Sequence, residues 1–295
     1  MFFSLVVPTI NRKTYLINLL KSLEKQDFKN FEVIIIDQNP KDFLRKIITK
    51  WEKKLNIIYK NVKFKGACKA RNFGTKFAKG KYIAYPDDDT EYPNETLSLV
   101  AKEFSIKDEA DIILCNCLDQ NLIKNHLIKK NKKVYLIESI YSLFKERIVT
   151  SQIFATKSCI DSYSQYIFDE MMGPGANSPF ASNDETDFLL RALNSHKKIY
   201  INRNISIFHP TNCPGYKKSY YYGLGRFRLI QKHNLGLGFY FINIIFPIIK
   251  LVYTMDFRKT KSYIASAIGR SGITYNRKIF EKFLRKIDFR KRKKI

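Results

Sequence analysis

Apolar runs and helical repeats alternate along the first two hundred residues. Phe3 to Val7 is a short apolar run closed by Pro8-Thr9, the pattern of a buried strand. Leu16, Leu19, Leu20 and Leu23 then recur at helical spacing and predict a helix over 13–26. Phe31 to Ile36 is continuous and rich in β-branched residues, as expected of a parallel strand covered on both faces, and it ends at Asp37. The same reading predicts a helix over 41–52, a strand over 55–59, a helix over 66–79 and a strand over 81–85. Beyond these come a helix over 94–106, strands at 111–115 and 133–137, and a helix over 184–194. Tyr200 to Ile207 holds one or two short strands ending at Phe208-His209-Pro210. The stretch 139–180 is mixed and includes a Gly-Pro-Gly turn at 173–175. Strands alternating with helices indicate an α/β doubly wound sheet, whose ligands bind beyond the carboxyl ends of the strands.

Pro8-Thr9, Asp37 and the run Asp87-Asp88-Asp89 all fall at such ends and are expected to converge on one crevice. Three consecutive carboxylates after the apolar Tyr82-Ile83-Ala84-Tyr85 repel one another, and burial disfavours their charged forms. A hard divalent ion with oxygen ligands would neutralise such a cluster and hold substrate phosphates. The alternative is a solvated acidic turn.

The composition changes after Tyr216. Residues 235–249 form the most apolar run of the chain, interrupted by Asn243 and Pro247 and followed by Lys250. Three readings stand for it: a membrane span, an interfacial or re-entrant helix, and a buried core helix. From Arg258 onward the chain carries 14 Lys/Arg against Glu281 and Asp288, and it ends in RKRKKI. A basic tail beside an apolar segment suits an anionic membrane leaflet, although a charge run can also be a solvated surface. Over 295 residues the formal net charge is +26, which implies an anionic partner such as nucleic acid, an acidic membrane or a phosphorylated substrate. Nucleic acid is disfavoured because no recognition motif with a basic helix or aromatic platform is present. The five cysteines show no CxxC pair, so neither a disulfide framework nor a zinc site is expected. The N-terminus has no basic region ahead of its apolar stretch and reads as a first strand, which places the protein in the cytoplasm, on the inner face of the cell membrane.

Five segments in order resemble one family. VVPTINR, IIIDQN, GACKARNFGTKFAKGKYIAYPDDD, MMGPGANSPFASNDETDFLLRAL and IFHP are similar to the signatures of the family 2 glycosyltransferases, in particular those building bacterial capsule, O-antigen or lipooligosaccharide. The resemblance covers about residues 2–215. It implies a GT-A nucleotide-diphospho-sugar transferase fold: a mostly parallel central sheet flanked by helices, with a C-terminal helical, membrane-associated appendage. Residues 1–215 would be the catalytic domain, with a nucleotide-sugar half at 1–115 and an acceptor half at 116–215. Residues 216–295 would be the appendage.

The implied chemistry is metal-dependent, inverting transfer from a nucleotide-sugar donor, a uridine diphosphate sugar by family expectation. The acceptor would be a saccharide, lipid-linked at an anionic membrane surface. The cofactor would be a divalent metal, Mg²⁺ or Mn²⁺. Asp89 is the first choice as direct metal ligand. Asp87 would face the ribose or the metal's water shell, and Asp88 would share either role. His209 is either a third metal ligand or structural. Asp37 would accept from the nucleobase or cap its strand. Arg71 would pair with phosphate, hold Asp87, or serve as a structural ion-pair partner. Pro8, Thr9, Asn11 and Arg12 would line the same donor crevice. The catalytic base would be Glu185 by position, but relatives read Glu-Asp where this chain reads Asp184-Glu185, so the base stays open between the two. Asp187 and Arg191 are spaced for a helix ion pair. A nucleotidyltransferase is the competing enzyme reading, weakened because Pro8-Thr9 stands where a Gly-rich phosphate loop would be.

Overall fold

The strand Phe3–Thr9 (β1) is buried along its whole length, as its unbroken apolar run requires. The computed structural model that contains it describes residues 1–119, 133–210 and 214–273. In chain order β1 is followed by α1 (Lys13–Glu24), β2 (Phe31–Asp37), α2 (Arg45–Trp51), β3 (Ile57–Asn61), α3 (Ala67–Thr75), β4 (Tyr82–Ala84), α4 (Thr96–Ile106) and β5 (Ile112–Leu118). Then come β6 (Val134–Leu136), α5 (Ile140–Lys145), β7 (Ile153–Thr156), α6 (Lys157–Asp161), α7 (Asp184–Asn194) and β8 (Ile199–Phe208). The last three helices are α8 (Tyr216–Lys232), α9 (Gly236–Thr254) and α10 (Thr260–Arg270).

Eight strands form one sheet in the order β3-β2-β1-β4-β7-β5-β8-β6. The pairings β1–β2, β1–β4, β2–β3 and β5–β8 are parallel, whereas β7 runs antiparallel between β4 and β5, and β6 runs antiparallel to β8. The sheet is therefore mixed. The strand β7 lies in the stretch that the sequence pattern leaves mixed, because its four residues are too short to show a period. The predicted helix over 41–52 begins only at Arg45, after Pro40 and a left-handed Asp42 (φ 65°).

The chain divides into two compact units, Met1–Glu170 with Asp184–Thr211, and Met171–Asn183 with Asn212–Ile295. Met171–Asn183, which the sequence reading assigned to a 1–215 domain, thus belongs with the C-terminal helices. In the first unit Leu16, Leu19, Leu20 and Leu23 of α1 are buried with Phe3, Leu5 and Val7. Glu32, a buried acid of β2, accepts from Ser4 Oγ at 2.6 Å and from the Lys79 backbone N–H at 2.8 Å, so its charge is not left unpaired.

In the second unit α8 and α10 pack backbone to backbone. A Cβ on Gly269 would lie 2.1 Å from the Tyr220 carbonyl oxygen, so only glycine permits this approach. The helix α9 is 19 residues long with mean hydropathy 1.7, long and apolar enough to cross a membrane. Pro247 has no N–H and strands the carbonyl of Asn243. Arg270 Nη1 donates to that carbonyl and to Asn243 Oδ1, both at 3.1 Å, and so closes the gap from α10. The basic run ending in RKRKKI lies outside the described residues, as do His126 and Cys213.

In the first unit α3 meets the sheet at Gly74. A Cβ there would lie 2.5 Å from Val6 Cγ1 and 2.9 Å from Ile36 Cγ1. Gly74→Ala is expected to destabilise the chain by about 1–3 kcal/mol through overpacking. Urea unfolding measures this, and an unchanged midpoint would show that α3 can withdraw at no cost.

Candidate active site

The parallel register sets the site. Thr9 stands opposite Asp37, and Asp37 opposite Asn61, so three strands end at one level. The Asp87–Asp89 turn follows β4, which pairs with β1 on its other side. It is tied down at two points. The Asp87 backbone N–H donates to Ser151 Oγ at 2.9 Å, and Thr90 Oγ1 donates to the same oxygen at 2.7 Å. Glu91 and Phe208 exchange both backbone hydrogen bonds, at 2.9 and 2.8 Å. That exchange docks the end of β8 on the acidic turn and delivers His209. A register shift between Cys115 and Asn116 lets β8 reach this far, and the His209 N–H donates to the Leu118 carbonyl at 3.0 Å.

The three aspartates alternate. Asp88 turns inward, where Oδ2 accepts from Thr9 Oγ1 at 2.8 Å and Oδ1 from Arg12 Nη1 at 3.1 Å. Asp87 and Asp89 face His209, whose Nε2 lies 3.7 Å from Asp87 Oδ2 and 3.2 Å from Asp89 Oδ1. One donor atom from each of Asp87, Asp89 and His209 fits within 4.8 Å of the others. Asp89 Oδ1 is buried, and His209 Nε2 is its polar neighbour at 3.2 Å. A buried carboxylate oxygen beside a second carboxylate and an imidazole is a donor set that suits a divalent ion. The three carboxylates are thus divided geometrically, two facing His209 and one turned inward to Thr9.

Burial pushes the Asp88 carboxyl up to about 6, helped by the charges of Asp89 and Asp87 and opposed by Thr9 and Arg12. Burial also works against the charged form of His209, but hydrogen bonds and charge from Asp87 and Asp89 outweigh it and raise the imidazolium to about 10. Asp87 is held well below the usual carboxylate range. Burial opposes its charge, and Arg71 and His209 overcome that opposition.

Arg71 has the structural one of the roles open to it. It is 2% exposed, and its Nη2 lies 2.6 Å from Asp87 Oδ1 while its Nη1 lies 2.8 Å from Asp184 Oδ2. Phe168 covers the guanidinium at 5.5 Å. A buried fork with both ends occupied does not reach a phosphate. Asp184 is equally committed, since Cys68 Sγ lies a further 3.4 Å from the same oxygen. Glu185 is half-buried, and Thr186 Oγ1 donates to its carboxylate at 3.3 Å. Burial and the neighbouring Asp184 raise its pKa above the ordinary carboxylate value. Asp187 pairs with Arg191 at 3.0 Å, the expected helix ion pair.

Asp37 is fully buried and caps its strand end. It accepts from the Asn39 backbone N–H at 2.9 Å, Asn39 Nδ2 at 2.6 Å and Tyr59 OH at 2.6 Å. Asn39 Oδ1 in turn accepts from the Asn11 backbone N–H at 2.6 Å, holding Asn11 at a left-handed φ of 57°. Arg12 also reaches Asp89 Oδ2 at 2.6 Å. Pro8 is buried in β1 opposite Ile36 and offers no polar side chain. Sequence reasoning missed Ser151, Asn39, Tyr59 and Cys68. Asn39 and Tyr59 had a signal, being polar groups at or near the ends of predicted strands, while Ser151 sits in the unpatterned stretch and had none.

The fold is that of the GT-A glycosyltransferases. The crystal structure of Staphylococcus aureus TarS 1–349 in complex with UDP-GlcNAc superposes with a TM-score of 0.59 at 18% identity, covering 92% of this chain and 82% of that one. The mannosyltransferase PcManGT from Pyrobaculum calidifontis, in complex with GDP-Man and Mn²⁺, gives 0.60 at 12% identity, covering 96% and 78%. Residues 4–172 match the sequence model of glycosyl transferase family 2, and the chain belongs to that family. An uncharacterised glycosyltransferase of Rickettsia felis is 34% identical over 155 residues, 52% of this chain and 24% of its own length. TarS, a poly(ribitol-phosphate) beta-N-acetylglucosaminyltransferase of Staphylococcus aureus, is 36% identical over 118 residues, 39% of this chain and 20% of its own. The chain thus spans about a fifth to a quarter of the length of these curated relatives.

Two outcomes follow from the charge arrangement. Arg71→Met leaves Asp184 buried without its cation and Asp87 with His209 alone, and is expected to cost about 3–5 kcal/mol in chemical unfolding. A loss below about 1 kcal/mol would mean that the fork is dispensable. Glu185 takes up its proton more readily in the folded chain than in the unfolded one. Its contribution is therefore complete below the ordinary carboxylate pKa and is lost as pH rises through the raised value. Glu185→Gln should accordingly flatten the fall in stability between weakly acidic and alkaline pH, measured by denaturation across that range.

Proposed function

We propose that this chain transfers a sugar from a nucleotide-diphosphate donor to a saccharide hydroxyl, with inversion, using a divalent metal held by Asp87, Asp89 and His209. The observation that carries the reading is the convergence of one donor atom from each of Asp87, Asp89 and His209 within 4.8 Å, at the carboxyl ends of the strands. Bound there, Mg²⁺ or Mn²⁺ supplies Lewis-acid neutralisation of the charge that grows on the departing diphosphate.

The chain's own residues do the rest. Arg71 fixes Asp87 and Asp184 together, so the donor-binding turn and the start of α7 share one anchor. Asp184 is spent on that anchor, which leaves Glu185 as the general base. Its raised pKa brings it closer to the operating pH, where a base is most effective. Glu185 takes the acceptor proton as the hydroxyl attacks the anomeric carbon from the face opposite the leaving group, so an α-linked donor gives a β-glycoside. Arg12 neutralises Asp88 and Asp89 at the mouth of the crevice. Thr9 holds Asp88 inward, and the Asp37–Asn39–Tyr59 cluster shapes the wall at the ends of β2 and β3, where the nucleobase is expected.

The uridine donor is supported by the UDP-GlcNAc that TarS binds, and the metal by the Mn²⁺ in the Pyrobaculum complex. The acceptor is a saccharide of bacterial surface polysaccharide synthesis, lipid-linked, met at the cytoplasmic face of the membrane. The apolar α9 and the basic residues around it support that placement.

A donor screen by nucleotide release, run with Mg²⁺, Mn²⁺ and a chelator, tests the reading. A uridine diphosphate sugar should be consumed only with metal, and Asp89→Ala should abolish the metal stimulation. Glu185→Gln should lower kcat by about 10²–10⁴-fold while donor binding persists. Turnover that survives both the chelator and Asp89→Ala would remove the metal from the mechanism. Release of nucleotide from none of the donors would remove the transferase reading.

A further inference from the structure

The helix α9 has two unlike faces. Tyr240, Asn243, Ile244, Pro247 and Leu251 recur at helical spacing and are buried or half-buried. The opposite face exposes Leu237, Phe241, Ile245, Phe246, Ile249 and Val252, each 47–74% accessible. Only 11% of the helix's most apolar window is buried. No charged or amide side chain interrupts the exposed face until Lys250. A contiguous face of this kind is not left to water without cost.

Three occupants suit an apolar face: lipid, a second copy, or another part of this chain. Charge selects the first. Residues 214–273 carry ten Lys/Arg and a single acid, Asp256, which is already paired with Arg258 and Lys259. Lys232 and Lys250 lie before and within α9, and Arg258 and Lys259 follow it. A second copy would bring like charge to like charge, whereas an anionic leaflet complements an apolar stripe with cations around it.

The orientation follows from the middle of the helix. Its 19 residues rise about 28 Å, close to the roughly 30 Å hydrocarbon thickness, so a spanning helix would place Asn243 and Pro247 near the bilayer centre. Arg270 would lie at the same depth, because its Nη1 donates to the carbonyl that Pro247 strands. Its Nε and Asn243 Nδ2 have no partners, and among the described residues no carboxylate pairs with it. Burial alone lowers this guanidinium to about 10. A cation held only by neutral groups does not belong at mid-bilayer. Laid flat, the same helix keeps Asn243 and Arg270 on the protein side and turns only the apolar face to the acyl chains.

We infer that α9 lies in the plane of an anionic bilayer surface, with its Leu237–Val252 face sunk into one leaflet and its Asn243–Pro247 face clamped by Arg270 on the protein side. The inference deepens the membrane-facing acceptor proposed above, but it does not depend on the transfer chemistry.

The test uses the full chain with single substitutions Leu237→Trp, Ile245→Trp and Val252→Trp, read against the chain's one native tryptophan, Trp51, which is buried in the first unit. The three positions lie within about a quarter-turn of one another on the helix. Vesicles of phosphatidylglycerol and phosphatidylcholine carry bromines either near the head-group end or near the end of the acyl chains. All three tryptophans should be quenched to a similar extent, and more strongly by the shallow bromines. Vesicles without phosphatidylglycerol, or high salt, should weaken the quenching. Strongest quenching of Ile245→Trp by the deep bromines, with both ends shallow, would show a spanning helix and overturn the inference. Absence of quenching at every position would show that a second copy or another segment of the chain covers the face, and would also overturn it. Nucleotide release measured on the same variants keeps the two readings separate, since a chain without transferase activity still reports the depth of its helix.

Discussion

The guanidinium of Arg71 carries the charge balance of the catalytic unit. It is buried against Phe168, with one nitrogen on Asp87 and the other on Asp184. These two carboxylates come from parts of the chain almost a hundred residues apart, one after β4 and one at the start of α7. Asp184 could not remain ionised at such depth without a cation, and Arg71 could not remain buried without anions. Its position depends on α3 lying close to the sheet, which Gly74 allows by presenting no side chain to Val6 and Ile36. A packing detail on one helix face thereby fixes the distance between the donor-binding turn and the acidic helix.

The same pairing divides labour among five carboxyl groups. Asp184 and Asp88 point inward, to Arg71 and to Thr9 with Arg12. Asp87 and Asp89 point to His209. Glu185 accepts from the hydroxyl of Thr186. The Asp87 carbonyl accepts from the Thr90 backbone N–H at 3.0 Å, and the tight turn this closes sends Asp88 one way and its two neighbours the other. A run of three aspartates therefore presents two carboxylates to His209 and one to Thr9. Burial raises Glu185 and Asp88, while Arg71 and His209 keep Asp87 ionised. Environments that push neighbouring carboxyl groups apart in pKa are how one site holds both a base and permanent anions.

Much of this was legible in the sequence, because unbroken apolar runs ending in Thr9, Asp37 and the Asp87 turn mark parallel strands and their ligand-facing ends. The pairing of Asp187 with Arg191 was legible for the same reason: it is local. What could not be read depends on contacts distant in sequence. The antiparallel β7 enters between β4 and β5 from a stretch without periodicity. Ser151, which holds the acidic turn, arrives with it. Arg71 reads equally well as a phosphate ligand until its second partner, Asp184, is seen. That Asp184 and not Glu185 meets the arginine could not be read from their order.

Charge is also segregated along the chain, and this bears on how the site meets its substrates. The chain carries a net charge of +26 although its crevice gathers three aspartates, and residues 214–273 carry ten of the cations against one acid. Within the crevice, Asp87 and Asp89 raise the His209 imidazolium to about 10, so a proton on this ring supplies the positive charge that their carboxylates require. A metal ion bound to the same three donors must displace that proton, because a ligating imidazole is neutral. Proton and metal are thus alternative solutions to one electrostatic problem. Under the proposed function, an ion held by all three donors would take the place of that proton, and the loss of the ring's charge would be made good by the ion's own.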